Sequence, residues 1–533
     1  MYTPRQKILW FAFSSRVFIL FLQAVMNAIV PDHDANVFIS PEDPTLRKTK
    51  GDVIIDIVLG GLKRWDAQYF IHIAQYGYTY ENCLAFSPLF PLIVRYIGYI
   101  LNNILGSFLN FHSILLISAT LVNLLVFIKS ADVLHCLSIR ILRSESRAYK
   151  SVILYCVNPA SIFFSAPYSE SLFALMSFYV MYKCTENETL RFANIDITSS
   201  LPAAFSMISR SNGIVNLGFI LYASFKNVIE RTLPEIVYKY KTIKHRIILP
   251  FLLLPLFTSC VALFMTVVVA LIPYVMVQTY NYFKFCIHSD HNLPEFLTST
   301  EFLLPGTAES PWCNSSLPLS YTYIQSHYWD VGFLKYYKIK QIPNFLLASP
   351  ILLVNLYHCL SYIKNNFRLC CRLGLKDNIF NFGYSSKVPY KQKQYPKGFG
   401  TSDPVLFVYI IHVLFLTIFC ILYVHIQIST RLLASASPLL YWICSSKMNV
   451  GPTPTSDQNT INEHFRRIGI GKRIPSHHLS IANLEGVDNM YSKWKTFIIS
   501  RRMPDFQSRL IQWYFLGYFV IGTVLFCNYY PWT

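Results

Sequence analysis

Long apolar runs decide what this chain can be. Ten stretches, 8–30, 111–138, 151–167, 168–184, 200–224, 247–273, 343–363, 404–424, 432–446 and 509–527, read as candidate spans. Most have the roughly 17–25 residues with which a helix crosses a hydrocarbon core of about 30 Å. A length of 533 residues would by itself suggest three or four soluble domains. Only 14% of the residues are charged, against about 25% in a soluble domain, so polar surface is too scarce for that. The expected fold is an all-α polytopic membrane protein.

Charge then sets orientation. Lys and Arg exceed Asp and Glu by 18, and the segments 139–150, 226–246, 364–403 and 445–509 hold the whole surplus. The segments 31–87 and 281–342 are slightly acidic. Basic loops stay cytoplasmic, so the surplus is a topology signal and gives no reason to invoke nucleic acid. Arg5 and Lys7 precede the first run and no small-x-small site follows it, which reads as a retained signal-anchor over 1–30. An even number of crossings must separate the basic loops 139–150 and 226–246, yet three candidates lie between. One of them is re-entrant or broken, and the run around Arg210-Ser211-Asn212-Gly213 is the best place. The stretch 88–105, with Pro88, Pro91 and Arg95, reads as an interfacial helix.

The expectation is eight to ten transmembrane helices with two large lumenal loops, 31–110 and 274–342. Between them lies a bundle over 111–273. Helices over 343–446 carry a basic cytoplasmic loop, 364–403. A polar cytoplasmic insert at 447–508 precedes a last span and lumenal C-terminus in 509–533. Of 13 Cys, none forms a CxxC pair or takes metal-ligand spacing with His, and most sit in apolar runs as small hydrophobes. Cys83 and Cys313 fall in the two lumenal loops, where an oxidising compartment would let them pair. Asn187-Glu188-Thr189 and Asn314-Ser315-Ser316 are glycosylation sequons. The chain has no P-loop, GxGxxG, HExxH or GxSxG context, so a soluble nucleotide-sugar or ATP site is unsupported.

Polar density marks the candidate chemistry. The first lumenal segment carries Arg64-Trp65-Asp66-Ala67-Gln68-Tyr69-Phe70, and on a helix Asp66, Tyr69 and Ile73 share a face. A carboxylate beside Trp at the membrane rim suits a proton acceptor. The competing reading makes Trp65 an interfacial belt residue and Asp66 a helix cap or solvated charge. The second loop is rich in aromatics, among them Tyr321, Tyr323, His327, Tyr328, Trp329, Tyr336 and Tyr337. Flat rings with polar edges suit a sugar, and equally a girdle. His327 is a second acid–base group, a phosphate partner or a structural histidine. Glu170, Arg210 and the pair His425 and Arg431 lie in apolar context, where ionisable groups face a cavity or one another. Glu170 with Arg210 is one such structural pairing; lipid phosphate on arginine is the functional alternative.

Taken in order, Trp65-Asp66 with Gly77-Tyr78 and Phe86–Pro91, Asn158-Pro159-Ala160 with Tyr168-Ser169-Glu170, Arg210-Ser211-Asn212-Gly213, His327-Tyr328-Trp329 with Val331-Gly332, and Tyr530-Pro531-Trp532-Thr533 form a pattern. It resembles the GPI mannosyltransferase 2 family, phosphatidylinositol-glycan class V, from about residue 5 to the C-terminus, skipping most of 447–507. The resemblance implies a multi-pass endoplasmic-reticulum membrane enzyme of the GT-C glycosyltransferase fold. Such an enzyme takes dolichyl-phosphate mannose as donor and mannosylated glucosaminyl-phosphatidylinositol as acceptor, and adds the second mannose in α1,6 linkage. No cofactor is implied, and a small membrane subunit stays open. A β-linked donor giving an α-product requires inversion, hence one displacement with one base, which falls to Asp66. Trp65, Gln68, Glu170, Arg210, Asn212, His327, Tyr328, Trp329 and Lys335 are the expected substrate-binding residues. Arg210, His327 or Lys335 would stabilise the leaving phosphate without a metal. Asp330 stands where Asn is common in the family, so it is a weak candidate for an essential carboxylate. A two-walled cleft would place His327–Trp329 near Asp66. The alternatives are a sister GT-C enzyme acting on an N-glycan precursor or protein, and a polytopic lipid transporter or scramblase.

Overall fold

A computed structural model describes residues 3–35, 37–186, 196–242, 249–289, 293–298, 301–375, 403–448 and 505–532. Among these every regular element is helical. Six helices are long and apolar enough to cross a membrane: Pro4–Ile29, Phe111–Leu142, Leu253–Cys286, Ile339–Asn365, Pro404–Leu422 and Phe506–Cys527. Asn187, nearly all of the 364–403 loop beyond Leu375, and most of the 447–508 insert lie outside the described residues.

In chain order the elements that matter are α1 (Pro4–Ile29), α2 (Lys50–Leu59), α3 (Ala67–Tyr76), α4 (Leu89–Leu105), α5 (Phe111–Leu142), α6 (Glu145–Cys156), α7 (Glu170–Glu186), α8 (Ile197–Met207), α9 (Leu217–Asn227), α10 (Leu233–Thr242) and α11 (Leu249–Cys286). They continue with α12 (Glu295–Thr298), α13 (Ser320–Trp329), α14 (Ile342–Asn365), α15 (Phe367–Cys371), α16 (Phe407–Leu422), α17 (Ser429–Ala436), α18 (Leu439–Lys447) and α19 (Phe506–Cys527). The remaining expected spans are short or interrupted. The 151–167 run ends its helix at Cys156, 200–224 divides into α8 and α9 around a 3-10 turn over Ser211–Asn216, and 432–446 divides between α17 and α18. The stretch after Pro88 opens a helix, α4, of 17 residues.

Broken helices inside a membrane leave carbonyls without partners, and polar side chains must answer them. Arg16 on α1 does so at the end of α6. Its guanidinium is fully buried, donates to the carbonyls of Cys156 (2.7 Å) and Ser161 (2.8 Å), and lies 4.0 Å from the Phe127 ring. Asn123 on α5 donates to the carbonyls of Ala166 and Tyr168, which fixes the turn that launches α7 at Glu170. Asn216 donates to Ser177 (3.0 Å) and Ser206 (3.1 Å), tying the α8–α9 break to α7. Gly213 is required there: a Cβ would stand 2.3 Å from the Ser206 carbonyl. The main core gathers α1, α5, α6, α7, α16, α17, α18 and α19 around Tyr155, Tyr441 and Trp442.

A second, smaller core joins the first polar segment to the 274–342 segment through Tyr69, Tyr78, Tyr80, Phe285, Trp312 and Ile324. Cys83 belongs to it as a buried free thiol. The disulfide instead joins Cys286 to Cys313, with Cα atoms 5.4 Å apart, and this corrects the expected pairing of Cys83 with Cys313. The reason is that α11 runs past the expected end of its span and carries Cys286 out to the loop.

Candidate active site

Trp65 takes a left-handed backbone conformation (φ 56°), and Asp66 begins α3 without giving it a side-chain cap. A bulky residue at positive φ costs of order 1–3 kcal/mol and persists where the surroundings enforce it. Here it turns the Asp66 carboxylate away from the helix terminus towards Arg431 on α17, whose Nη2 is 2.7 Å from Oδ2. Helix capping, one of the two ordinary readings of Asp66, is therefore not its use. The other end of α3 is closed by Arg95 of α4, which donates to the carbonyls of Ala74 (2.6 Å) and Ile73 (2.9 Å), and by Gly77 at φ 82°.

Arg431 reaches a second carboxylate. Its Nη1 is 3.7 Å from Oε1 of Glu170, and the same oxygen is paired with Arg210. Asp66, Glu170, Arg210 and Arg431 thus form one neutral cluster from four parts of the chain. Glu170 is fully buried, whereas the side chains of Arg431, Arg210 and Asp66 are 12%, 16% and 29% exposed. The guanidinium carbon of Arg431 lies 5.1 Å from the Phe163 ring and 5.4 Å from the Tyr168 ring. Tyr168 also donates to the Arg64 carbonyl (3.3 Å), so the turn before α7 braces the Trp65–Asp66 turn directly.

In Glu170 and in residues next to the cluster along the chain, several buried polar atoms have no protein partner: Trp65 Nε1, Ser169 Oγ, Glu170 Oε2, Asn212 Nδ2 and Thr430 Oγ1. Buried polar groups are nearly always paired, so these atoms beside four charges call for partners outside the protein, ordered water or a ligand. Among the described residues no three His, Cys, Asp or Glu side chains gather as metal ligands would.

The 274–342 segment comes to the same end of α3. Trp329 packs on Tyr69 (6.1 Å between ring centroids) and Phe86 (6.0 Å), one turn along from Asp66. Ser211 donates to the Tyr321 hydroxyl (2.7 Å), linking α13 to the Arg210 turn. Tyr328 donates to Glu81 Oε2 at 2.8 Å. His327 is exposed, stacked on Tyr323 (5.2 Å) and edge-on to Tyr328 (4.9 Å). Lys335 pairs with Asp330, which also binds Lys338, in an exposed cluster. Gln68 is buried and donates to the Lys63 carbonyl (2.9 Å). His72, also on α3, bridges Ser40 and Thr79; burial pushes its pKa down to about 3, which leaves it a neutral strut.

Sequence reasoning noticed Arg431 and left it out of the site, because an isolated Arg in an apolar run names no partner. Glu81 was missed outright. It is 2% exposed and accepts from Ser310, Trp312 Nε1 (2.8 Å) and Tyr328.

The sequence profile described as Mannosyltransferase (PIG-V) matches residues 5–533. The chain belongs to the PIG-V mannosyltransferase family. GPI mannosyltransferase 2 of Drosophila pseudoobscura pseudoobscura is 34% identical over 99% of this chain and 100% of its own length. GPI alpha-1,6-mannosyltransferase 2 of Cricetulus griseus is 34% identical over 99% of each chain, and that of Homo sapiens 33% over 99% of each. No solved structure matches. As a PIG-V protein the chain is an enzyme, a multi-pass mannosyltransferase related to those of GPI-anchor biosynthesis.

Proposed function

We propose that this enzyme moves mannose from dolichyl-phosphate mannose to the 6-hydroxyl of the first mannose of the GPI precursor, on the lumenal side of the endoplasmic-reticulum membrane. The relatives' names supply the α1,6 linkage and the GPI acceptor. The observation that carries the mechanism is the Asp66 carboxylate, turned off its helix into a cluster flanked along the chain by unpartnered polar atoms. Asp66 accepts the acceptor hydroxyl proton as the new bond to the anomeric carbon forms on the face opposite the departing phosphate. That phosphate is already a weak base and needs no protonation, so one carboxylate suffices. Glu170, wholly buried and held by two arginines, is a counterion and not a second base.

Asp66→Asn keeps the shape and removes the basicity. The expected result in microsomes is loss of mannosyl transfer by at least about 100-fold, the usual range for a general base, at unchanged protein level. Full transfer would end the assignment. Cells lacking the protein should accumulate the one-mannose GPI intermediate; loss of N-glycan branches would instead point to the sister enzyme. The phosphate is served by arginine in this reading, so chelation by EDTA leaves the rate unchanged.

A further inference from the structure

We propose that Arg431 is the residue that receives the donor phosphate, and that it passes from the Asp66 carboxylate to that phosphate as the mannosyl group leaves. This rests on the reading of Asp66 as the base. The expected phosphate partners compare poorly with it. Lys335 is 48% exposed and already shared with Asp330, and His327 is exposed on the outer face of α13. Arg210 faces Glu170, whereas Arg431 faces both carboxylates and touches the base itself. Its planar fork presents several N–H donors in one plane, the geometry that phosphate oxygens match two at a time. Phe163 and Tyr168 hold that plane from the side.

Charge accounting gives the reason for the transfer. In the resting site Asp66 and Glu170 balance Arg210 and Arg431. A phosphodiester donor adds one negative charge. In the reaction the 6-hydroxyl proton goes to Asp66, the hydroxyl oxygen bonds to the anomeric carbon, and the bond from that carbon to the phosphate oxygen breaks. The electron pair stays on the phosphate, which changes from a diester monoanion to a monoester dianion. One negative charge has therefore moved from Asp66 to the phosphate, while the cluster total is constant. A cation standing between the two follows that charge with little reorganisation, which is what makes preorganised electrostatics effective. Behind it, Glu170 keeps both arginines in place from the buried side.

The test uses the full-length enzyme in detergent and citronellyl phosphate, a short isoprenyl phosphate, as a competitor of the donor. For Arg431→Gln, the donor kcat/KM should fall about 100-fold or more, inhibition by citronellyl phosphate should weaken at least about tenfold, and the acceptor KM should stay within about twofold. Arg431→Lys should recover part of the phosphate binding and little of the rate, because a point charge replaces a fork. Asp66→Asn frees Arg431 of its competitor, so this variant should bind citronellyl phosphate more tightly than the wild type. Inhibition of Arg431→Gln equal to that of the wild type overturns the proposal, as does unchanged or weaker binding by Asp66→Asn. If Arg431→Gln fails to accumulate, the Lys and Asn variants still decide. Full mannosyl transfer by Asp66→Asn would remove the base reading alone, and the phosphate measurements would separately judge Arg431.

Discussion

Glu81 shows what a single buried carboxylate can organise. Three donors from the 274–342 segment converge on it, from residues 229, 231 and 247 positions away. Glu81→Ala leaves all three without an acceptor, at about 1–3 kcal/mol for each buried orphan. The expected outcome is a melting temperature in detergent lowered by several degrees, together with weakened transfer as Trp329 loses its seat on Tyr69. Glu81→Gln, with one acceptor oxygen kept, should fall between. The contrast with Asp66 explains what a sequence discloses at this scale. Asp66 was legible because it stands beside Trp65 at a helix start in a chain poor in acids. Glu81 lies in an acidic loop where one more carboxylate is unremarked, and only the distant Ser310, Trp312 and Tyr328 give it meaning. Arg431 was visible as a charge in an apolar run, but nothing local names Asp66, 365 residues earlier, as its partner.

Among the elements, the broken helices do the positioning. Each break delivers a residue of the candidate site: the turn after α6 leads to Glu170, the α8–α9 interruption bears Arg210 and Asn212, and the short α17 bears Arg431. Apolar periodicity found the runs, and charge parity required one of three between the basic loops to be re-entrant or broken, with the one around Arg210 the best place. It did not find where α6 stops, because the carbonyls at that end are answered by Arg16 from α1, and it read 432–446 as one run across Pro438, before which α17 ends in an extended Ser437. The disulfide was missed for a related reason: the expected span stops at 273, yet α11 continues to Cys286 and holds that thiol beside Cys313. The Gly213 turn gives a sharp check. Gly213→Ala forces a Cβ into the Ser206 backbone, which cannot yield as a side chain would. The expected loss is about 1–3 kcal/mol in thermal unfolding, with transfer lowered as Arg210 shifts from Glu170.

For the whole molecule, the topology proposed from charge puts the two cores on opposite footings. The larger one lies among the spanning helices, and the smaller one, with the disulfide, is on the lumenal side. Asn314 is exposed at the end of a 3-10 turn, next to Cys313, in keeping with a glycan acceptor. An endoglycosidase-sensitive band shift that disappears in Asn314→Gln is the expected result in intact microsomes. A protease-protected 364–403 segment would reverse the assignment of sides. The order of the site residues along the chain has a consequence for how the enzyme is made. Asp66 is synthesised early and Arg431 late. At about 5–20 residues per second, the aspartate waits roughly 20–70 s on the ribosome before its arginine exists. A truncated or stalled nascent chain therefore holds the Asp66 carboxylate without the Arg431 cation that pairs with it.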